Sequence, residues 1–446
     1  MNNNIFNYAI YPSVVPADTE SEIAIHPLGE NTAFLQGISY TVEMRGVETF
    51  CNNYAKLPWK WYNVTPNENG DLVIRHHFEG EQRYVVKIVR PEEDILATPH
   101  RDITNRSKRG CNKDAVLNVY SLGSELYGLK GYKGELHCHS YESDGIQDVA
   151  HTVGNYRSAG YDFIAITDHY ITMGSEKAAH LPLVKESGML ALLGEECHVP
   201  TEQIHAVHIG GNASVNAYYR DHTEESVAEM ESIREGLDYL PEHIDKTDYA
   251  WRVWIARKAS EFEGISILAH PHWLWYDTYF MASAITKQLL KDNIYDAMDI
   301  TDQEADTSVA LWAEMRSEGC QTSVVGCSDS HESSSFDCLH PVRGGYTLAF
   351  AAKNERLDIL SAIKSGQCVA VNAEGSPERV QGSYRYVKFA RFLLDNYFPM
   401  HMRLCRGQGV LMADHSSSDP SPAITQQVGV AKELIRDFSR KFYGYE

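Results

Sequence analysis

The sequence lacks the features that would place the chain in a membrane. No apolar run approaches the roughly 20 residues that a helix needs to cross a bilayer. Residues Met1 to Ile5 contain no basic region ahead of an apolar core, as a secretory leader would. We therefore expect a cytoplasmic protein that makes no membrane contact.

Paired cysteines and an excess of basic residues are also missing. The nine cysteines are scattered and lack Cys-x-x-Cys spacing, which indicates reduced thiols rather than a disulfide framework. Lys and Arg total 40 against 61 Asp and Glu, and the net charge of -21 argues against general nucleic-acid binding. A local basic pocket for one small anion is compatible with this charge. The 446 residues, 43% hydrophobic and 23% charged, suit a globular protein of two or three domains.

Two histidines separated by one residue are the most informative feature that is present. On a strand, His137 and His139 would point to the same face, and Asp144 follows in the next turn. Cys138 would point to the opposite face, where we expect it to pack in the core. The pattern predicts a metal site.

Four further apolar runs end in a histidine or a carboxylate. These runs lead into Asp168-His169, Glu195-Glu196, His270-Pro271 and Ser328-Asp329-Ser330-His331. Each run is typical of a short buried strand. Because the ends of parallel strands meet at one rim of an α/β barrel, we expect these side chains to converge.

The residues alone leave two choices open. Glu195 and Glu196 are adjacent, so strand alternation sends them to opposite faces and only one can bridge metal ions. His205 and His208 lie in the same predicted strand, and either could supply an imidazole.

The ordered motifs resemble those of the PHP (polymerase and histidinol phosphatase) metallohydrolases, over roughly residues 130–371. The resemblance implies a distorted (β/α)7 barrel, within an α/β fold, that binds two or three divalent transition metal ions, usually manganese, zinc or iron. The family patterns Gly-x-Glu and His-Ile-Gly-Gly favour Glu196 and His208 in the two open choices. The segment before His137, including Gly134 and Glu135, looks like the carbaryl-hydrolase branch, whose members carry an N-terminal β domain.

Carried onto this chain, the family pattern implies nine metal ligands, all of them histidines or carboxylates. The first ion would take His137, His139, Glu196 and Asp329. The second would share Glu196 and add His208 and His270. The third would take Asp144, His169 and His331.

A mixed nitrogen and oxygen ligand set leaves metal positions free for water and a small-molecule substrate. A water that bridges two such ions loses its proton near neutral pH, and the resulting hydroxide can attack an ester. Hydrolysis is therefore the predicted reaction, with Asp329, His331 and Glu196 as the predicted catalytic residues.

Two sets of residues bear on the substrate. Trp273, Trp275 and Tyr276 follow His270 closely and could form an apolar wall for an aryl group. Arg343 is a candidate for gripping phosphate oxygens. We favour a phosphoesterase for small organic phosphate esters. The alternatives are a hydrolase of aryl carbamates, esters or amides, and an inactive, metal-stabilised binding module.

The chain divides into three predicted parts. Residues 1–125 alternate apolar and polar residues between turn signals, which predicts an all-β, sandwich-like domain. Residues 126–413 form the predicted barrel, with a helical insertion at about 212–262 that could cap the site. Residues 414–446 form a linker and a C-terminal helix, which is a candidate surface for homo-oligomer formation.

Overall fold

The computed structural model describes residues 3–48, 59–91, 94, 114–333, 344–373, 377–415 and 419–445. Contacts along the chain divide it into two compact units. The first comprises Met1–Leu129, Arg391–His401 and Ile435–Glu446, and the second comprises Lys130–Ala390 and Met402–Leu434. The domain boundaries at 125/126 and 413/414 remain predictions.

The first unit contains two sheets. The three-stranded sheet has the order β1-β3-β6 and the five-stranded sheet the order β2-β8-β7-β4-β5. The strands are β1 (Tyr8–Tyr11), β2 (Val14–Pro16), β3 (Thr19–Pro27), β4 (Tyr40–Gly46), β5 (Lys60–Val64), β6 (Leu72–Phe78), β7 (Gln82–Val89) and β8 (Asp114–Leu122). Short 3-10 helices span Asn3–Phe6 and Glu30–Thr32. Along β4, the alternate residues Tyr40, Val42 and Met44 are buried, as the alternating pattern requires.

The second unit contains a six-stranded sheet of order β11-β10-β9-β19-β20-β21 and a five-stranded sheet of order β12-β13-β14-β17-β18. A two-stranded hairpin, β15-β16, is separate from both. The strands are β9 (Lys130–Glu135), β10 (Phe163–Ala165), β11 (Leu190–Leu192), β12 (Gly194–Cys197), β13 (Ala206–Ile209), β14 (Ile265–Leu268), β15 (Leu274–Trp275), β16 (Thr278–Tyr279), β17 (Ala297–Asp299), β18 (Ser323–Val325), β19 (Gly345–Ala351), β20 (Cys368–Asn372) and β21 (Arg379–Gly382).

These two sheets form a curled, half-barrel arrangement in a mixed α/β unit. Isolated parallel bridges join Cys138 to Ser330 and His169 to Glu196, and thereby connect the strand ends of the two sheets. The strands are not uniformly parallel, because β13 runs antiparallel to both β12 and β14. The expectation that the strands of the barrel run parallel is therefore wrong at β13. Closure of the sheets as a (β/α)7 barrel remains a prediction.

Helices follow most strands of the second unit and dominate the C-terminal part of the chain. They are α1 (Val149–Ser158), α2 (Met173–His180), α3 (Pro182–Ser187), α4 (Val215–Asp221), α5 (Thr223–Glu235), α6 (Lys246–Glu261), α7 (Ser283–Lys291), α8 (Ala305–Ser317), α9 (Arg356–Lys364), α10 (Tyr384–Asn396), α11 (Phe398–Asp414) and α12 (Pro422–Tyr443). In the described ranges, no helix has the length and apolar character that crossing a bilayer demands. A role for α12 in homo-oligomers remains a prediction.

Side-chain caps explain where several helices begin. Asp148 accepts a hydrogen bond from the backbone N–H of His151, and this cap starts α1. Asp245 accepts two such bonds at the start of α6. The helices α4, α5 and α6 lie in the segment 212–262, where helical patterning predicts an insertion.

The core beneath the strand ends is close-packed. Phe163 of β10 is fully buried and contacts Gly134 of β9 so closely that a Cβ at residue 134 would lie 2.0 Å from its ring. Glycine is therefore required at this position for the two strands to approach each other. This packing fixes the strand ends from which the candidate ligands emerge.

Candidate metal centre

His137 and His139 lie just beyond the end of β9 rather than within it. Their segment pairs with the one that carries Asp329: the backbone N–H of His139 donates to the carbonyl of Ser330, and that of Asp329 donates to the carbonyl of His137. This pairing brings Asp329 Oδ1 to 3.2 Å from His137 Nε2 and 3.1 Å from His139 Nε2. Both imidazoles therefore face one carboxylate.

The side chain of Glu135 links the segment of His137 to the segment of Asp329. Its Oε1 accepts hydrogen bonds from the backbone N–H groups of Leu136, His137 and Ser328. The side chain is fully buried, and burial raises its pKa to about 7. One carboxyl group thus positions the residues next to Asp329 as well as His137.

Glu196 occupies the middle of the cluster and is buried. Its Oε2 lies 2.8 Å from His169 Nδ1, 3.5 Å from His137 Nε2 and 3.7 Å from His139 Nε2. Its Oε1 lies 2.8 Å from His205 Nδ1. The two oxygens of one carboxylate thus face different imidazoles, which is the geometry that a bridging ligand needs.

His270 completes the Oε1 side of Glu196. Its Nε2 lies 3.2 Å from Glu196 Oε1 and 4.0 Å from Asp329 Oδ2. Its ring stacks on that of His137, with the centroids 5.5 Å apart. His270 thus connects the two carboxylates that hold the cluster.

The structure places His208 outside this cluster and His205 within it, whereas the family pattern favours His208. His208 lies opposite Glu195 in the β12–β13 register, and directly paired residues share one face of a sheet. His208 Nδ1 accordingly lies 3.0 Å from Glu195 Oε1. Glu195 also accepts hydrogen bonds from Ser214 Oγ and the backbone N–H of Val215.

His198 belongs to the cluster and was missed by the sequence analysis. Its Nε2 lies 2.7 Å from His169 Nδ1 and 3.5 Å from Glu196 Oε2. A signal for it exists, because His198 follows Glu196 by two residues and so projects to the same face of an extended chain. The same rule pairs His137 with His139.

Asp144 and His331 lie on the more exposed side of the cluster. Asp144 Oδ2 lies 3.4 Å from His169 Nε2 and 3.2 Å from His331 Nε2, and its Oδ1 lies 3.7 Å from His139 Nδ1. His331 Nδ1 lies 3.0 Å from the backbone carbonyl of Asp329, which orients Nε2 toward Asp144. The structure thus brings together every predicted ligand except His208.

Asp168, the other carboxylate in the strand-end motifs, faces away from the imidazoles. Its Oδ1 accepts hydrogen bonds from the backbone N–H of Ser140 and from Ser143 Oγ. Its Oδ2 accepts from Ser140 Oγ. Asp168 therefore fixes the loop that leads to Asp144 instead of joining the cluster.

The electrostatics of the cluster favour cations. Burial disfavours a charged imidazole at His137, but the carboxylates of Asp329 and Glu196 outweigh it and raise its pKa to about 10. Burial likewise opposes charge on Asp329, yet the nearby His137 and His139 hold its pKa below its usual range. At His205 burial dominates and lowers the pKa to about 4. The carboxylates thus remain anionic near neutral pH.

The donor atoms fit divalent metal ions. Five groups of residues each bring their donor atoms within 4.8 Å of one another: His139, Asp144, His169 and His331; His137, His270 and Asp329; His137, His139 and Glu196; His169, Glu196 and His198; and Glu196, His205 and His270. Both ring nitrogens of His137 and Glu196 Oε2 are buried, and the polar atoms near them, such as His169 Nδ1 at 2.8 Å from Glu196 Oε2, are not aligned for a hydrogen bond. Since a buried polar atom without a partner costs about 1–3 kcal/mol, coordination of a cation would satisfy these atoms.

An aromatic hairpin lies beside the imidazoles. Trp273 contacts His205 and His270, with ring centroids 5.8 Å and 5.5 Å apart. Trp275 lies 5.4 Å from Trp273 and is 54% exposed, and the following Tyr276 is 87% exposed. The structure thus places one predicted wall residue at the cluster and the other two further out. Arg343, the predicted phosphate-binding residue, lies outside the described residues.

The chain was compared with family models, curated proteins and solved structures. No family model matches the sequence. No curated protein matches it either.

The solved structures that match part of this chain include three at low sequence identity. A two-domain protein from Bacteroides vulgatus that contains a predicted PHP-like metal-dependent phosphoesterase is 17% identical, with a TM-score of 0.40, over 55% of this chain and 66% of that one. A candidate metal-dependent phosphoesterase from Bifidobacterium adolescentis is 16% identical, with a TM-score of 0.32, over 44% of this chain and 87% of that one. An amidohydrolase from Chromobacterium violaceum with bound sulfate is 17% identical, with a TM-score of 0.31 and the same coverages.

Proposed function

We propose that the chain is a multinuclear, PHP-type metal-dependent hydrolase that acts on a small organic phosphate ester. The observation that carries this proposal is the position of Glu196, whose two oxygens face imidazoles on opposite sides. One of these oxygens and both ring nitrogens of the adjacent His137 are buried without a well-aligned hydrogen bond, although Glu196 Oε2 lies 2.8 Å from His169 Nδ1. When bound, divalent cations would supply an activated water and stabilise charge on the attacked centre.

The proposed ligands form three sets that share residues. His137, His139, Glu196 and Asp329 would hold one ion. Glu196, His205 and His270 would hold a second. Asp144, His169 and His331 would hold a third, and His198 lies between the last two sets.

The backbone at two proposed ligands supports a functional role. Asp329 and His270 have φ angles of 47° and 24°, in the left-handed region that residues with a side chain rarely adopt. Such conformations cost on the order of 1–3 kcal/mol and concentrate at functional sites. Both side chains contact His137: Asp329 Oδ1 lies 3.2 Å from its Nε2, and the ring of His270 stacks on its ring.

The chain's own residues would orient the reacting groups. Asp144 and His331 lie at the exposed side of the cluster, with 52% and 40% of their side chains accessible, so a substrate can approach them. Glu135 accepts hydrogen bonds from the backbone N–H groups of His137 and Ser328. These bonds would hold Asp329, the residue after Ser328, in position. On the other side of the cluster, His137, His139, His198 and His270 are buried.

One observation favours a second candidate, a hydrolase of aryl carbamates, carboxylic esters or amides. Trp273, just before β15, contacts His205 and His270, and the rings of Trp275 and Tyr276 continue outward from it. A flat, neutral leaving group could stack there. This candidate uses the same metal-binding residues and differs only in the substrate.

A paired turnover assay separates the two candidates. Protein loaded with manganese or zinc is given 4-nitrophenyl phosphate or an aryl carbamate, with Asp329→Ala as the blank. Faster metal-dependent release from the phosphate supports the proposal, and faster cleavage of the carbamate supports the second candidate. If neither substrate is cleaved by protein that does bind metal, hydrolysis of both substrate classes is refuted.

A further inference from the structure

Two cationic side chains of the second unit, Lys177 and Arg157, are paired within the protein. Lys177 Nζ lies 2.6 Å from Glu142 Oε1. The buried Arg157 donates to Asp162 Oδ1 and to Gln408 Oε1. Both are committed to partners within the protein, so an anionic substrate needs a different cation.

Arg220, the residue before the last of α4, differs from these cations. Its side chain is exposed, and its Nη1 donates a hydrogen bond to the backbone carbonyl of Tyr170 at 2.9 Å. Within the described part of the chain, no carboxylate forms an ion pair with it. A guanidinium has five N–H donors, so most of its donors and its whole charge remain available.

The partner of Arg220 belongs to the wall of the proposed metal centre. Tyr170 directly follows His169, and its backbone N–H donates to the carbonyl of Glu196 at 3.1 Å. Its ring lies 4.6 Å from that of His198. The guanidinium is therefore anchored to the residue that directly follows the proposed ligand His169, and consecutive Cα atoms are about 3.8 Å apart.

The helix that carries Arg220 is fixed to the strand that carries Glu196. Ser214, the N-cap of α4, donates through Oγ to Glu195 Oε2 at 2.6 Å. Asn216 Nδ2 donates to Glu195 Oε2 and to the carbonyl of Glu196, at 2.8 Å and 3.0 Å. Because β12 supplies both anchors, the positions of Glu196 and of α4 are linked.

We propose that Arg220 binds the anionic group of the substrate, and that this group is the phosphate of a phosphomonoester. The assignment rests on the proposed function and deepens it. A doubly charged phosphate can receive two parallel N–H bonds from a guanidinium while another oxygen faces the metal-binding residues. A neutral carbamate would gain little from such a contact, so Arg220 selects for charged substrates.

Binding of inorganic phosphate to the manganese-loaded protein tests the proposal directly. Calorimetry should show that Arg220→Ala weakens phosphate binding about ten- to a hundredfold, as expected for loss of a charge-assisted contact. Arg220→Lys should restore part of the affinity, because lysine keeps the positive charge but lacks the two parallel N–H donors of a guanidinium. Arg234→Ala is the matched control, since that exposed arginine is paired with Glu231 on α5, outside the cluster. It should bind phosphate as the native protein does.

Kinetics provide a second readout. Arg220→Ala should raise KM for 4-nitrophenyl phosphate and leave KM for the neutral 4-nitrophenyl acetate unchanged. Equal phosphate affinity of the native protein and Arg220→Ala, with both folded and metal-loaded, would overturn the assignment of Arg220 alone. A native protein that takes up no metal and binds no phosphate would overturn the proposed function as well.

Discussion

His208 and Glu195 lie directly opposite each other in antiparallel strands, and their side chains meet at 3.0 Å on the face away from the metal cluster. His205, three residues earlier, instead lies 2.8 Å from Glu196. We therefore expect His205→Ala to lose at least one equivalent of bound metal and His208→Asn to keep it. Elemental analysis of the loaded, gel-filtered variants checks this. Loss of metal from the His208 variant alone would reverse the assignment.

Glu135 should contribute to stability through the peptide groups that it binds. Glu135→Ala leaves two buried N–H groups and one partly buried N–H group without their acceptor, so we expect it to lower the free energy of unfolding by about 3 kcal/mol. Glu135→Gln keeps one oxygen as acceptor and should lose clearly less. Urea unfolding of the two variants measures the difference, and equal losses would contradict the role given to Oε1.

His76 should make the stability of the first unit depend on pH. Burial, with a smaller effect of Lys60, lowers the pKa of His76 to about 4, below the ordinary value of 6.5. The unfolded chain therefore binds the proton first, and stability is lost as pH falls from about 6.5 toward 4, by on the order of 3 kcal/mol at most.

Unfolding midpoints between pH 8 and pH 4 test this dependence on His76. His76→Phe is the control, because its ring can occupy the space beside Phe78 and Tyr84 but cannot take up a proton. The variant should show a shallower loss between pH 6.5 and 4. If His76→Phe loses stability as steeply as the native protein does between these pH values, other groups cause the effect.

Trp275 should affect substrates that carry an aryl group. Its side chain is 54% exposed, so Trp275→Ala should leave stability nearly unchanged. If Trp275 stacks on the leaving group, KM for aryl substrates rises roughly three- to tenfold, while KM for alkyl substrates does not. Trp61→Ala, at an exposed tryptophan of the first unit, is the matched control. An unchanged KM would remove Trp275 from the substrate site.

Short-range patterns predicted much of the candidate site. The spacing of His137 with His139 and of Asp329 with His331 depends only on local backbone geometry. His137 and His139 enter one group of donor atoms, whereas Asp329 and His331 enter two neighbouring groups. The segment of His137 is not itself a strand, yet Cys138 forms an isolated bridge with Ser330 and both flanking imidazoles face Asp329. Local periodicity was sufficient for these residues.

Long-range pairing explains what the sequence could not predict. The register that sets His208 opposite Glu195 depends on how two antiparallel strands align, and β13 was expected to be parallel. The hydrogen bond between Arg220 and Tyr170 joins residues 50 positions apart, so no local pattern indicates it. Such contacts arise from tertiary packing rather than from periodicity.

Metal content, measured together with turnover, tests the central claim that Glu196 joins two metal-binding sets. After loading with manganese, zinc or iron, the native protein should retain at least two ions per chain and release phosphate from 4-nitrophenyl phosphate. Glu196→Gln should retain fewer ions and lose about a hundredfold or more of the turnover. His151→Ala, at an exposed histidine paired with Asp148, should match the native protein in both measurements. Native protein without stoichiometric metal, or a Glu196→Gln variant equal to it, would contradict the account.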